Sequence, residues 1–259
     1  MGLTKEQRRE VEQVLKGSLR RKFQSYNPEP ASMPFHTRLL GKDRLALYSF
    51  IHSLSTNFGT TIFEPVAVAI AKNSFKSATS HMIAGEYIYE GASVEIERIM
   101  NGLTTAAFSP DKHAEVDAIR KVCQEGSRRK VRLTRVDILL KSRTDELYLF
   151  DLKTAKPNVG GFKEFKRTLL EWAAAVLASN PRAKVNTLIA IPYNPYEPQP
   201  YNRWTMRGML DLENELKVGN ELWDFLGDTG AYEDLLDCFE RVGIELRDEI
   251  DEYFTRFNR

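Results

Sequence analysis

The chain has 259 residues, 42% hydrophobic and 28% charged, enough to bury one large core or a core domain with helical additions. Its 37 Lys+Arg against 36 Asp+Glu leave a net charge of +1, so any nucleic-acid contact must come from local basic clusters rather than from bulk charge. Cys123 and Cys238, the two cysteines, exclude a disulfide scaffold and a four-cysteine zinc site. The early charges of MGLTKEQRREVEQ exclude a signal-peptide core there, and no apolar run reaches the ~18 residues of a membrane span. A cytoplasmic, reducing setting without membrane contact is expected.

Residues 3–26 predict a helix, with Thr4 as N-cap and Val11, Val14, Leu15, Leu19 and Phe23 at helical spacing. Lys16, Arg20, Arg21 and Lys22 stand on its polar face, and Pro28 and Pro30 end it. His36 and Arg38 fall in the loop expected next. Helices are predicted over 42–57 and 61–72, the second carrying Glu64 immediately before Pro65, which suits a first helical turn. Residues 80–108 fit a strand with a bulge at Gly85 followed by a helix, or two strands. Residues 110–124 predict a helix that stops at Gly126.

Residues 130–141 (KVRLTRVDILLK) predict one strand, 142–145 a hairpin turn, and 146–154 (ELYLFDLKT) a central strand. A glycine loop, an alanine-rich helix over 162–179 and a strand over 185–191 follow, a β–α–β order that implies a parallel crossover. A proline- and tyrosine-rich loop covers 192–201, and the remainder from about 206 is expected to be helical. The expected fold is α/β: a central mixed sheet flanked by helices, in a single domain. It divides into a helical N-terminal part (1–60), an αβ core (61–200) and a helical C-terminal part (201–259).

The chemistry concentrates in the hairpin. Asp137 lies in one strand, and Asp151 and Lys153 share a face at the end of the other. Charges on an apolar hairpin are costly unless they serve each other or a metal. Mg²⁺ relieves the repulsion of two carboxylates, being bound by one or two of them with water and phosphate; a strand-end Asp–Lys ion pair is the plainer alternative. The four histidines, His36, His52, His81 and His113, show no metal spacing.

These residues resemble the PD-(D/E)xK nuclease superfamily, with Asp137 and Asp151 as the acids and Lys153 as the lysine; Val136 stands where the motif has proline. The resemblance implies a metal-ligating glutamate from an earlier helix. Glu64 is the match, and its alternative is a helix-start glutamate favoured by the dipole. Residues 27–41, 57–66, 191–198 and 218–227 are similar to the TdeIII-type restriction endonucleases. That resemblance implies a homodimeric, Mg²⁺-dependent endonuclease that cleaves double-stranded DNA at a short palindrome of GGNCC type, leaving a 5′-phosphate. A structure-selective repair, recombination or mobile-element nuclease, or an inactive DNA-binding module, are the alternatives.

In that reading Asp137, Asp151 and Glu64 bind the ion and Lys153 faces the attacked phosphate. Arg128, Arg129, Lys130, Arg132 and Arg135 contact phosphates or else protect a strand edge. Lys156, Asn158, Lys163 and Lys166 lie near phosphate. Arg38, His36, Asn194, Gln199, Asn202 and Arg203 are candidates for base contact, since Arg suits guanine and Asn or Gln adenine. Trp223 and Phe225 offer apolar surface for a dimer, or pack on their own core.

Overall fold

The computed structural model describes residues 2–25, 33–153, 155–157, 161–202 and 206–255. Asn158 and Arg203 lie outside them. The helices are α1 (Lys5–Ser25), α2 (Pro34–Leu40), α3 (Lys42–Phe58), α4 (Glu64–Ala71), α5 (Glu90–Thr104), α6 (Lys112–Val122), α7 (Phe162–Ser179), α8 (Asn220–Leu226), α9 (Ala231–Glu245) and α10 (Arg247–Thr255). A π-helical turn, Gly59–Phe63, joins α3 to α4. The strands are β1 (Ser77–Met82), β2 (Tyr87–Tyr89), β3 (Arg128–Lys130), β4 (Val136–Lys141), β5 (Leu147–Leu152), β6 (Val185–Ile191) and β7 (Leu216–Val218).

The main sheet runs β1-β4-β5-β6-β7. The β4–β5 hairpin pairs antiparallel and β5–β6 parallel, as the α7 crossover requires. This is the mixed sheet between helical layers that the sequence predicts. One core sets α5, α6 and α7 on a face of the sheet; the other sets α1, α4, α8 and α9 on the opposite face. β5 feeds both, because successive side chains alternate: Leu149 enters the first core and Phe150 the second, each fully buried. Each such side chain contributes roughly 1.5–3 kcal/mol by leaving water. Ala173, Ala174 and Ala175 of α7 are also fully buried. The helix comes so near the chain between β1 and β2 that a Cβ on Gly85 would lie 3.0 Å from Ala175 Cβ.

Several expectations change. The strand expected over 130–141 is two: β3 pairs with β2 in a separate ribbon, and only β4 enters the main sheet. Residues 80–108 hold the end of β1, then β2, then α5, and Gly85 lies between strands rather than in a bulge. His36 and Arg38 sit on a helix, α2, rather than in a loop. The C-terminal part is not all helical, because β7 adds to the edge of β6. Trp223 is buried, with Nε1 donating to Pro192 O at 2.7 Å, and Phe225 packs against the same core, so neither forms a dimer surface. Of the basic residues on α1, Lys16 pairs with Glu245 and Arg20 with Glu249, which ties α1 to α9 and α10.

Lys166 is the largest correction. It is fully buried in the first core, where Nζ bonds Glu115 and, at 2.6 Å, Glu215. Lys112 joins the cluster through Glu215 at 3.1 Å and through Thr187. Two ammonium and two carboxylate groups thus balance inside apolar surroundings, fixing α6 and α7 to the segment before β7. Removing one member leaves an uncompensated buried charge, so Lys166→Ala should destabilise the fold by about 3–5 kcal/mol. Urea unfolding will measure this. A loss under about 1 kcal/mol, with weakened DNA affinity, would return Lys166 to the protein surface.

Candidate active site at the end of the central hairpin

The β4–β5 register pairs Ile138 with Phe150, which sets Asp137 opposite Asp151, one residue further on. Asp137 Oδ2 accepts a hydrogen bond from the Leu152 N–H at 2.7 Å. Asp151 Oδ1 lies 2.6 Å from Lys153 Nζ. The same ammonium lies 4.4 Å from the centre of the Phe165 ring on α7, a cation–π contact that steadies its charge. Asp151 is buried and Lys153 partly so. The strand alternation that predicts a shared face for Asp151 and Lys153 therefore agrees with the geometry.

Glu64 reaches the same place from another direction. The π-helical turn ends at Phe63, and Glu64 opens α4 with Pro65 in its first turn. Its side chain is only 2% exposed. His81 Nε2 stands 3.1 Å from Glu64 Oε2, but the contact lacks hydrogen-bond geometry, and that oxygen has no hydrogen-bond partner. Glu64, Asp137 and Lys153 line a cavity of about 450 Å³, walled by Phe58, Phe63 and Tyr193.

Burial dominates the electrostatics. It pushes the Glu64 carboxyl up to about 7, and the nearby negative charge of Asp137 adds to the rise. Asp151 is pushed up to about 6 by burial, against the pull of Lys153, with Asp137 adding to the rise. Burial also raises Asp137, against the Leu152 N–H and Lys153. Three acids thus face one lysine in a desolvated corner.

These oxygens suit a hard divalent cation. Glu64 Oε2 is buried without a hydrogen-bond partner, and Asp137 and Asp151 offer carboxylates from adjacent strands. Among the described residues no group of three or more His, Cys, Asp or Glu stands close enough together to hold a metal ion by itself.

The other residues singled out from the sequence lie around this corner or away from it. Lys156 is exposed, with Nζ 5.4 Å from the centre of the Tyr196 ring, and Tyr201 Oη donates to Ala155 O at 3.1 Å. The tyrosine-rich loop is thereby seated on the segment that follows Lys153. Lys163 is exposed on α7. Asn194 is occupied within its loop: Nδ2 donates to Gln199 O at 2.7 Å and Oδ1 accepts from Tyr196 N at 3.0 Å. Gln199 and Asn202 are exposed, as is Arg38 on α2.

Arg128, Arg129 and Lys130 are exposed on β3, apart from the hairpin. There Arg128 covers the Tyr87 ring at 3.7 Å and Arg129 pairs with Glu90 at 3.1 Å. Arg132 and Arg135 are exposed in the segment between β3 and β4. Sequence reasoning missed His81, Phe63 and the buried Lys112–Glu215 cluster. No motif spacing marks them; only the pairing of distant segments does. Among the described residues no helix is long and apolar enough to cross a membrane.

Comparison with known proteins places this geometry in context. The family described as "Type II restriction endonuclease, HinfI" matches residues 3–243, in agreement with the type II restriction endonuclease expected from the sequence. The chain is 24% identical to type II restriction enzyme HgiCII of Herpetosiphon aurantiacus, over 84% of this chain and 80% of that protein. It is 23% identical to HgiBI of the same organism, over 89% and 86%. It is 24% identical to type II restriction enzyme MjaII of Methanocaldococcus jannaschii, over 76% of this chain and 55% of that one. With the match running through nearly the whole chain, from α1 to α9, the protein belongs to the HinfI family of type II restriction endonucleases.

Proposed function

We propose that this site-specific DNA endonuclease cuts with the hairpin-end site just described, using Mg²⁺, and leaves a 5′-phosphate. The observation that carries the reading is the facing pair Asp137 and Asp151, with Lys153 at 2.6 Å from the second acid. It supports the PD-(D/E)xK reading of these residues. Asp137 and Asp151 hold the cation, with Glu64 as a further ligand. A divalent cation bound there supplies Lewis-acid neutralisation of the phosphate charge. Lys153, held between Asp151 and the Phe165 ring, directs its N–H groups at a nonbridging phosphate oxygen and at the attacking water. A compact ammonium with rotatable donors suits both tasks.

Phosphates are contacted by Lys156 and Lys163 beside the site, and by Arg128, Arg129 and Lys130 on the β2–β3 ribbon. Asn158, two residues after Lys156 in the sequence, is assigned to the same phosphate contact. Bases are read by exposed side chains of the tyrosine-rich loop, Gln199 and Asn202 with Arg203 beyond them, and by Arg38; Asn194 shapes that loop. The target is a short palindrome, and its GGNCC form rests on the TdeIII-type resemblance alone. Two cuts need two sites, and the chain carries one copy of the motif, so the working unit is a homodimer. Phe35 and Leu39 on α2 and Tyr48 and Ile51 on α3, between 50 and 84% exposed, give a second copy apolar surface to cover.

Incubation with unmethylated phage DNA and Mg²⁺, followed by sequencing of the fragment ends, should return one short sequence at every end. Ends without a common sequence would refute site-specific cutting. Asp151→Ala should abolish cleavage while DNA binding in Ca²⁺ persists. Lys153→Ala should lower the rate by at least about a hundredfold. Near-normal cleavage by either variant would place the chemistry elsewhere.

The raised acids also fix the sign of a pH effect. A carboxyl whose folded-state value lies above its unfolded value stabilises the fold fully at pH below the unfolded value. That stability is lost as pH rises through the folded value, about 7 for Glu64. Without divalent cation, wild type should therefore lose stability relative to Glu64→Gln between about pH 5 and about pH 8. Parallel melting curves across that range would contradict the burial of an ionising Glu64. Sedimentation should show a dimer on DNA that dissociates when Leu39 and Ile51 are both changed to Glu; a monomer under all conditions would refute the dimer.

A further inference from the structure

His81 has a backbone that a strand does not call for. It stands in β1 with φ 57°, in the left-handed region that residues other than glycine seldom enter. The pairing of β1 with β4 matches Ser80 to Ile138 and Met82 to Val136, without a His81–Asp137 pair between them. In a regular strand residues 79 and 81 share one face, and 78 and 80 the other. Ala78 packs against the core that contains α4, so regular geometry would turn the His81 side chain away from that helix. Instead its Nε2 lies 3.1 Å from Oε2 of Glu64, the first residue of α4. The left-handed residue carries the imidazole across to the carboxylate. Local strain of this kind persists where the surroundings hold it, and an observed outlier is a pointer to function.

The partner it meets is the one site carboxylate with an oxygen that is buried and lacks a hydrogen bond among the described residues. His81 itself is half exposed and close enough to Asp137 to act on its charge. We propose that His81 is a positioning residue: its ring stands against Glu64 Oε2 without a hydrogen bond and limits how the carboxylate can turn, so that this oxygen stays open beside Asp137 and the two acids take a divalent cation together. This inference rests on the reading of Glu64 as a cation ligand. Outer partners that orient a ligating carboxylate set metal affinity, and losing one typically costs 10–100-fold.

The test is Mn²⁺ binding to the full chain without DNA, followed by electron paramagnetic resonance. It compares wild type, Glu64→Gln, His81→Gly, His81→Gln and the His81→Gly/Glu64→Gln double variant. Glycine adopts the left-handed conformation freely, so His81→Gly should melt at or above the wild-type temperature. It should nevertheless bind Mn²⁺ about 10-fold or more weakly. Glutamine sets its amide nitrogen about as far from the backbone as the imidazole Nε2, so His81→Gln should recover most of the affinity. The double variant should bind no more weakly than Glu64→Gln alone. Wild-type affinity in His81→Gly, with affinity lost in Glu64→Gln, would overturn the role of His81 and leave Glu64 as a ligand. Wild-type affinity in Glu64→Gln would remove Glu64 from the ion and overturn the proposal with it. A further loss in the double variant, as large as in His81→Gly alone, would show that His81 acts through another group.

Discussion

Two carboxylates set opposite each other at the end of an apolar hairpin, Asp151 buried and Asp137 half-buried, form the constraint around which the structure is arranged. Asp137 and Asp151 come from adjacent strands whose other side chains fill two cores, so neither acid can withdraw without breaking the register. Like charges at such separation in a poorly solvated place cannot both ionise cheaply. Burial pushes each towards its protonated form, with Asp137 adding to the rise of Asp151; the Leu152 N–H and Lys153 oppose it at Asp137, and Lys153 opposes it at Asp151. Glu64 adds a third acid with a still less favourable ionisation. A site with more buried negative charge than its own cations balance attracts an external cation, and a phosphate can follow it.

The second buried cluster makes the contrast plain. Lys112 and Lys166 against Glu115 and Glu215 give equal numbers of each charge, with hydrogen bonds joining them across α6, α7 and the segment before β7. That balanced set works as an internal brace and needs no ligand. The hairpin corner, three acids to one lysine, differs from it by composition and by an oxygen without a hydrogen bond. Burial alone would assign both clusters to the same class; charge balance and hydrogen-bond completeness separate them. Phe150 on one face of β5 and Leu149 on the other hold the strand between two rigid layers, so the acids are presented by the stiffest part of the molecule. Such rigidity suits groups that must meet a phosphate in one geometry.

What could be read from the sequence was whatever depends on short range. Side-chain alternation put Asp151 and Lys153 on one face, and a four-residue turn brought Asp137 beside them. The β–α–β order gave the parallel step to β6, and Pro65 marked the helix start at Glu64. What could not be read depends on partners far along the chain. Residues 130–141 alternate as one strand would. They divide because Arg128–Lys130 finds β2 while Val136–Lys141 finds β1 and β5. Lys163 and Lys166 look alike in a helical pattern, yet only the second meets Glu115 and Glu215. β7 is three residues in a polar stretch, a strand only because β6 offers an edge. His81 carries no spacing signal, since its role resides in one backbone angle.

The central claim is that Asp137 and Asp151 jointly hold the divalent cation. Anomalous diffraction from crystals grown with Mn²⁺ and uncleaved DNA tests it most directly. The account predicts a peak between those two carboxylates, on the cavity side of the hairpin and within reach of Glu64. A strong Mn²⁺ peak coordinated by other residues, with Asp137 and Asp151 bound only to Leu152 and Lys153, would contradict it.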